Sequence, residues 1–408
     1  MGKVDLASQP LVGSLGDYCI PERKVVCHFC NATLHMPTLY PGEQIKCPRC
    51  GETLVRIEKH PVAIPVIYSG LAIFAFLLSL LYPLLTVTTP YIHVTRMVGV
   101  WSIFGYLMEH SPFLAFIYLF LVLVTPLVFI AATLYVFSAI YFRMYWWRVE
   151  EISEVLAHLR PWVMVDIFLV GCAVSLVKIR SLATFEVGYT FITVFAYSIF
   201  LARIVLSISE YWIKEKLFNI RGETIRPIRH SLKTLRKKAW LKINLSWALL
   251  FAAVIFYLPA NLMPMMGTHG LGFYYETTLL QGIVQIWKSG DYFVSSIIFI
   301  ASFLIPIIKI FSLFILLLAI SYKRLLKAKT LTWIFVSIER IGRWSMIDVF
   351  VIMLMVSLFT SRVVYVRSGS ASIYFCLVVI ITMVSTSLID TRLFWDDSEK
   401  SQYRRRPE

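Results

Sequence analysis

Trp162-Val-Met-Val-Asp166-Ile-Phe168 recurs as Trp344-Ser-Met-Ile-Asp348-Val-Phe350, 182 residues further on (344 − 162). Val174-Ser175-Leu176 and Val356-Ser357-Leu358 keep the same register. Outward from this stretch, Tyr82-Pro83-Leu84 aligns with Met263-Pro264-Met265, Thr125-Pro126-Leu127 with Ile305-Pro306-Ile307, and Trp212 with Trp395. Proline and tryptophan are scarce residues, so their return in one register marks an internal duplication. The chain is two copies of one unit.

Each copy is apolar. The 408 residues are 58% hydrophobic and 15% charged, with a mean hydropathy of +0.74. Soluble domains carry roughly 25% charged residues, so a water-soluble globular enzyme is excluded. A bilayer crossing needs about 20 apolar residues. Such runs fall at Val62–Val87, Phe113–Phe142, Val163–Val177, Val187–Ser209, Ile243–Met266, Phe293–Ile320, Met346–Val364 and Ser372–Ile389. Four spans per copy is an even number, so both copies enter from the same side and form a parallel repeat about an axis along the membrane normal. A duplicated structural bundle without a pathway is the alternative. Between the first two spans of each copy, Val98, Trp101, Phe104 and Leu107, and Leu280, Ile283, Ile286 and Trp287, are spaced for an amphipathic helix at the interface or against the bundle.

The net charge of +15 follows this topology. Basic residues crowd the segment before the first span, the stretch from Lys214 to Lys242, the loop holding Lys323, Arg324, Lys327 and Lys329, and the tail Arg404 to Arg406. The opposite loops hold few. The positive-inside rule then places both termini in the cytoplasm, and nucleic acid is not needed to explain the charge. The first 60 residues lack a signal-peptide pattern, so the first span is expected to act as the insertion signal. The expected fold is an all-α polytopic membrane protein with eight transmembrane helices in two parallel four-helix repeats and a small N-terminal cytoplasmic zinc ribbon. The units are the ribbon (1–60), repeat 1 (61–213), a basic linker (214–242), repeat 2 (243–395) and a basic tail (396–408).

The ribbon rests on cysteine spacing. Cys27-His-Phe-Cys30 and Cys47-Pro-Arg-Cys50 are two Cys-x-x-Cys knuckles separated by sixteen residues, among turn formers such as Gly42 and Gly51. Four thiolates so spaced suit one structural zinc, whose binding supplies folding energy that so short a segment lacks. A redox pair and an iron site are the alternatives. A reducing cytosol argues against disulfides. Cys172 and Cys376 fall within spans as small apolar packers.

Ionisable groups inside a membrane are functional candidates, because each costs on the order of 2.5–3.5 kcal/mol there. Lys309 lies halfway along the sixth span, one turn after Pro306, and Asp348 is its leading partner. Asp166 occupies the position equivalent to Asp348, and Lys178 follows it three turns later. These four are candidates for a polar relay, although either aspartate could simply cap its helix, and Lys178 and Arg203 could snorkel to an interface. Glu186 completes the set. Pro259, Asn261 and Pro264 in the fifth span, with Pro83 in the first and Pro306 in the sixth, predict broken or kinked helices, the best sequence pointer to a pathway. No Walker A loop or catalytic residue set is present, so a non-enzymatic protein is expected.

These residues also carry a family resemblance. Tyr257-Leu-Pro-Ala-Asn261-Leu-Met-Pro264, Ser302-x-x-x-Pro306-x-x-Lys309, Gly342-Arg-Trp-Ser-Met-Ile-Asp348-Val-Phe-Val351 and Asp390-x-Arg392-Leu-x-Trp395-Asp396 resemble the paraquat-inducible protein A family. The resemblance covers nearly the whole chain. It implies a bacterial inner-membrane subunit that works with a periplasmic MCE-domain tunnel protein and moves phospholipid or other lipophiles between inner and outer membranes. A non-transporting scaffold for that partner, an independent efflux carrier for small amphiphiles and, most weakly, a thiol oxidoreductase are the competing functions. Typical relatives carry a second pair of knuckles before the fifth span. Here Tyr211 to Lys242 contains no cysteine.

Overall fold

Eight helical segments are long and apolar enough to cross a membrane: Ala63–Leu81, Pro112–Tyr141, Val149–Leu176, Tyr189–Ser207, Trp240–Leu262, Ser295–Tyr322, Ala328–Leu358 and Ser370–Leu388. They come from a computed structural model that describes residues 19–89, 94–179, 184–222, 232–270, 273–322, 326–358 and 364–395. The tail 396–408 and residues 223–231 of the linker lie outside the described residues.

Two hairpins, β1 (Arg23–Val26) with β2 (Thr33–Met36) and β3 (Gln44–Lys46) with β4 (Thr53–Arg56), form the N-terminal unit. Repeat 1 follows as α1 (Ala63–Leu81), β5 (Leu85–Thr89), β6 (Val94–Val98), α2 (Val100–His110), α3 (Pro112–Tyr118), α4 (Thr125–Tyr141), α5 (Val149–Leu159), α6 (Val165–Ile179), β7 (Thr184–Val187), α7 (Tyr189–Ser207) and α8 (Glu210–Arg221). Repeat 2 repeats the order as α9 (Leu232–Leu262), β8 (Met266–Gly270), β9 (Phe273–Thr277), α10 (Leu279–Lys288), α11 (Tyr292–Phe299), α12 (Ile305–Tyr322), α13 (Ala328–Gly342), α14 (Ile347–Leu358), β10 (Val364–Ser368) and α15 (Ser370–Leu388). The duplication read from the sequence extends to every element between α1 and α7.

Two small antiparallel sheets, ordered β6-β5-β7 and β10-β8-β9, cap the face opposite the N-terminal unit. The first and fifth spans were expected to run on to Val87 and Met266, and the seventh to Val364. The first two stop at Leu81 and Leu262, and Val364 belongs to β10, with residues 359–363 outside the described residues. A residue before proline is pushed away from helical geometry, so the chain leaves α1 and α9 ahead of Pro83 and Pro264. Gly188 and Gly369 make the turn possible. A Cβ on either would meet the carbonyl oxygen of Pro83 at 2.2 Å or of Pro264 at 2.0 Å. Thr190 donates to the Tyr82 carbonyl at 2.7 Å, and the Ala371 amide donates to that of Pro264 at 3.2 Å. The carbonyls freed by the broken helices are thus bonded to protein.

Pro126 and Pro306 act differently. Each follows a π-helical segment, Leu119–Val124 or Ile300–Leu304, which joins α3 to α4 and α11 to α12 without a break. Proline cannot donate to the carbonyl four residues back and its ring crowds it, and a wider turn relieves both. Helix α9 likewise continues through Pro259 to Leu262 rather than breaking there, and Asn261 Nδ2 donates to the Tyr257 carbonyl at 2.8 Å.

The third and seventh spans are composites. An amphipathic helix, α5 or α13, meets the apolar helix, α6 or α14, through a short 3-10 turn at Arg160–Trp162 or Arg343–Met346. The repeats join where α6 packs on α14. Phe168 and Phe350, equivalent residues of the two copies, touch edge to face with centroids 5.6 Å apart, which puts the repeat axis between them. The symmetry is incomplete. Helices α2 and α3 of repeat 1 also pack on α14, every residue of which is buried, whereas α10 and α11 make at most marginal contact with α6. On α2 the buried stripe is Val100, Ile103 and Leu107, with Trp101 turned outward.

Candidate functional site

Each hairpin turn of the N-terminal unit presents one Cys-x-x-Cys knuckle. Amides of Cys27 and Cys47 donate to carbonyls of Ala32 and Glu52, and amides of Asn31 and Gly51 donate back to the two cysteines. Asn31 and Gly51 both take positive φ, 56° and 85°, the left-handed step that curls sulfur atoms inward. The four Sγ atoms lie within 4.8 Å of one another, with Cys27–Cys50 at 3.7 Å and Cys30–Cys47 at 3.6 Å. Metal–sulfur bonds of about 2.3 Å in a tetrahedron give edges of about 3.8 Å. The four cysteines can therefore hold one metal ion. Hydrogen bonding to Cys30 and burial push the Cys27 thiol up, and burial chiefly pushes Cys50 up to about 12. A bound cation is the charge that would favour the thiolates instead.

This unit is clasped to repeat 2. Trp395, in the closing turn Thr391–Trp395, packs on the cysteine cluster, and its Nε1 donates to Thr332 Oγ1 of α13 at 3.0 Å. The Arg49 guanidinium lies 4.9 Å from the Trp395 ring centre. Arg392 Nε donates to the His28 carbonyl at 3.1 Å, and Arg340 pairs with Glu52 at 3.8 Å. On the other side Lys216 of α8 donates to the Cys19 carbonyl at 3.0 Å. The N-terminal unit is thus held by α8 on one side and by repeat 2 on the other.

Two clefts flank the junction of α13 and α14. One opens between Trp162 of repeat 1 and α13 and α15 of repeat 2, toward the face bearing the cysteine unit, and spans about 510 Å³ including its open mouth. Lys309 lies at its floor, only 4% exposed, and its Nζ has no hydrogen-bond partner among the described residues. It rests on the last turn of α13, where a Cβ on Gly342 would come within 3.0 Å of Nζ. The carboxyl end of a helix dipole favours a cation there. The other cleft, of about 400 Å³, lies under the sheet of repeat 2 between α10, α11 and α14, with Asp348 in its wall. Asp348 begins α14, where the helix dipole favours an anion.

The expected Lys309–Asp348 contact is not formed, since Nζ has no hydrogen-bond partner among the described residues and the two residues line different clefts. The turn Arg343–Met346 lies between Gly342, beside the amine, and Asp348. Asp166, equivalent to Asp348, is exposed on α6. Lys178 lies on α6 with its side chain outside the described residues. Arg203 stacks over Tyr68 at 5.8 Å, and Glu186 belongs to β7 rather than to a span. Pro306 precedes Lys309 on α12, while Pro83, Pro259, Asn261 and Pro264 gather toward the sheet face. Sequence reasoning missed Gly342 and Arg343 as lining groups, although both immediately precede the repeated stretch. It also missed Gly188 and Gly369, whose spacing of 181 (369 − 188) carries the repeat.

The family profile described as paraquat-inducible protein A matches residues 64–217 and 243–399, one segment per repeat. The chain is 30% identical to a probable intermembrane transport protein of Haemophilus influenzae, covering 93% of this chain and 98% of that one. It is 28% identical to the intermembrane transport protein PqiA of Escherichia coli K12, over 93% and 97% of the two chains. It is also 28% identical to the lipophilic envelope-spanning tunnel protein A of the same strain, over 93% and 92%. No solved structure matches.

Proposed function

We propose, because this chain belongs to the paraquat-inducible protein A family, that it is the inner-membrane subunit of a lipid-transport system. It passes phospholipid or another lipophile between the inner membrane and a periplasmic MCE-domain tunnel protein. The names of its relatives, intermembrane transport and envelope-spanning tunnel proteins, support the transport role. The basic loops support cytoplasmic termini, with the cysteine unit in the cytosol and the sheets facing the periplasm. Four clustered cysteines and a reducing compartment favour zinc as the ion, bound by Cys27, Cys30, Cys47 and Cys50 in a structural role.

One observation carries the reading. A cation and an anion, Lys309 and Asp348, stand in clefts that open toward opposite faces of one helix junction. Not paired with one another in this arrangement, they would attract one another in an arrangement that joined the clefts. Movement of the α13–α14 junction is then sensitive to their charge, and through it to protons or to an anionic cargo. Asp166 and Lys178 of repeat 1 complete the proposed relay only if α6 moves as α14 does. The chain supplies no nucleotide site, so the driving force comes from the membrane gradient, a partner ATPase or the cargo gradient.

The test is transfer of fluorescent phospholipid from proteoliposomes holding the full chain to its periplasmic partner, with Lys309→Met and Asp348→Asn. Each variant should lose transfer while still copurifying with the partner. Undiminished transfer by both would make the chain a scaffold.

A further inference from the structure

The cleft beside Lys309 carries more charge than the relay needs. Lys309 is at the floor and Arg343 in the wall, and one carboxylate, Glu339, shares the lining. Arg160 at the start of the Arg160–Trp162 turn lies within electrostatic reach of Glu339, as does Arg343. Arg340 and Glu210 act on the same cluster, so two acids among four bases leave an excess of positive charge, and the buried amine of Lys309 has no bond among the described residues. A desolvated cation without a partner is costly, so its retention calls for an anion that enters the cleft.

The remaining walls specify the kind of anion. Trp162, Phe335, Ile338 and Met383 are apolar and are joined by Thr386 and Ser387, whose hydroxyls already donate to backbone carbonyls of α15. A bare phosphate ion would exchange hydration for these surfaces at a loss, whereas an amphiphile would bury its glycerol and first methylenes against them. We propose that this cleft seats the phosphodiester of a phospholipid taken from the cytoplasmic leaflet, with Lys309 and Arg343 donating to its oxygens. Glu339 at the rim then faces the amine of an ethanolamine headgroup. The cleft lies between the repeats, bounded by Trp162 of one and α13 and α15 of the other, so an occupant would wedge the two units together near the axis. This rests on the reading that the chain handles phospholipid, and it names the cytoplasmic-side seat for that cargo.

The test is native mass spectrometry of the delipidated full chain in detergent, without the periplasmic partner. It is titrated with dioleoylphosphatidylethanolamine, dioleoylglycerol or inorganic phosphate. The phospholipid should bind, and Lys309→Met and Arg343→Gln should each weaken it roughly tenfold or more, the size expected for a charge-assisted hydrogen bond. Dioleoylglycerol should bind weakly and equally to all three proteins. Retained metal and an unchanged elution profile report that the variants are folded. Wild-type phospholipid affinity in both variants would overturn the proposal, as would dioleoylglycerol binding as tightly as the phospholipid. Inorganic phosphate that binds alone and competes with equal strength would show a free-phosphate site and overturn the lipid assignment. Binding is read without transfer or partner, so loss of either assay leaves the other to judge its own claim.

Discussion

Replacing Lys309 by methionine should make the protein more stable. Methionine keeps the length and volume of the lysine stem and removes the charge. The amine is buried, with Lys309 only 4% exposed, and has no hydrogen bond among the described residues. The effective penalty for burying such an ion is several kcal/mol. The end of α13 returns up to about 2 kcal/mol through its dipole, and hydration within the cleft returns a further part. A net gain of about 1–3 kcal/mol for Lys309→Met follows. In a chain of this size that corresponds to a rise of about 1–4 °C in the unfolding midpoint. The assay is thermal unfolding in detergent followed by the fluorescence of the 11 tryptophans. It needs delipidated protein, because a ligand bound only by the wild type would raise its midpoint. Removing one partner of a buried ion pair costs about 3–5 kcal/mol. A fall of that size would refute the reasoning, since Lys309 would then be neutralising a carboxylate, with Asp348 the obvious one.

Gly369→Ala should destabilise by about 1–3 kcal/mol or more, because its Cβ would meet the Pro264 carbonyl oxygen at 2.0 Å. Gly70→Ala, on an exposed turn of α1 with nothing within 4 Å, should be neutral or slightly stabilising, and equal midpoints for the two would discount the close approach. Trp395→Ala removes the indole from the cysteine cluster and its bond to Thr332. A loss of about 3–5 kcal/mol in local packing should show as faster extraction of bound metal by a chelator, and an unchanged rate would mean that the clasp does not protect the site. The thiols also give a pH test with opposite signs in the two states. Metal-free, Cys50 is raised from 9.0 to about 12, so the apo ribbon keeps its stability below pH ~9 and loses it as pH rises toward the folded value. Metal-bound, the thiolates must be kept unprotonated, so acidification should release the ion. Metal content that stayed constant down to mildly acidic pH, where the thiolates compete with protons, would contradict a four-thiolate site.

Composition and periodicity alone determined the membrane class, the eight spans and the parallel duplication, because each depends on local patterns: apolar run length, recurrent prolines and the Trp-x-Met-x-Asp-x-Phe heptapeptide. The cysteine unit was legible for the same reason, since two knuckles joined by hairpin turns bring four sulfurs together without help from the rest of the chain. The ends of the first and fifth spans were misjudged. Tyr82-Pro83 and Met263-Pro264 are as apolar as the helices before them, and only β5 and β8 show that the chain has already turned.

Tertiary structure alone decided what the charges do. Asp166 and Asp348 stand in nearly identical local sequences, yet one is exposed and the other buried: Asp348 lies against α10 and α11 of its own repeat, on a helix that α2 and α3 of the other repeat also cover, whereas α10 and α11 make at most marginal contact with α6. Lys309 and Asp348 invite pairing when read along the chain, but the turn Arg343–Met346 separates them into two clefts. The clasp joins Trp395 to cysteines more than 300 positions earlier. Helical periodicity specifies which side of a helix is apolar. Which neighbour meets that side depends on long-range packing, and here that packing breaks the symmetry of the duplicated sequence.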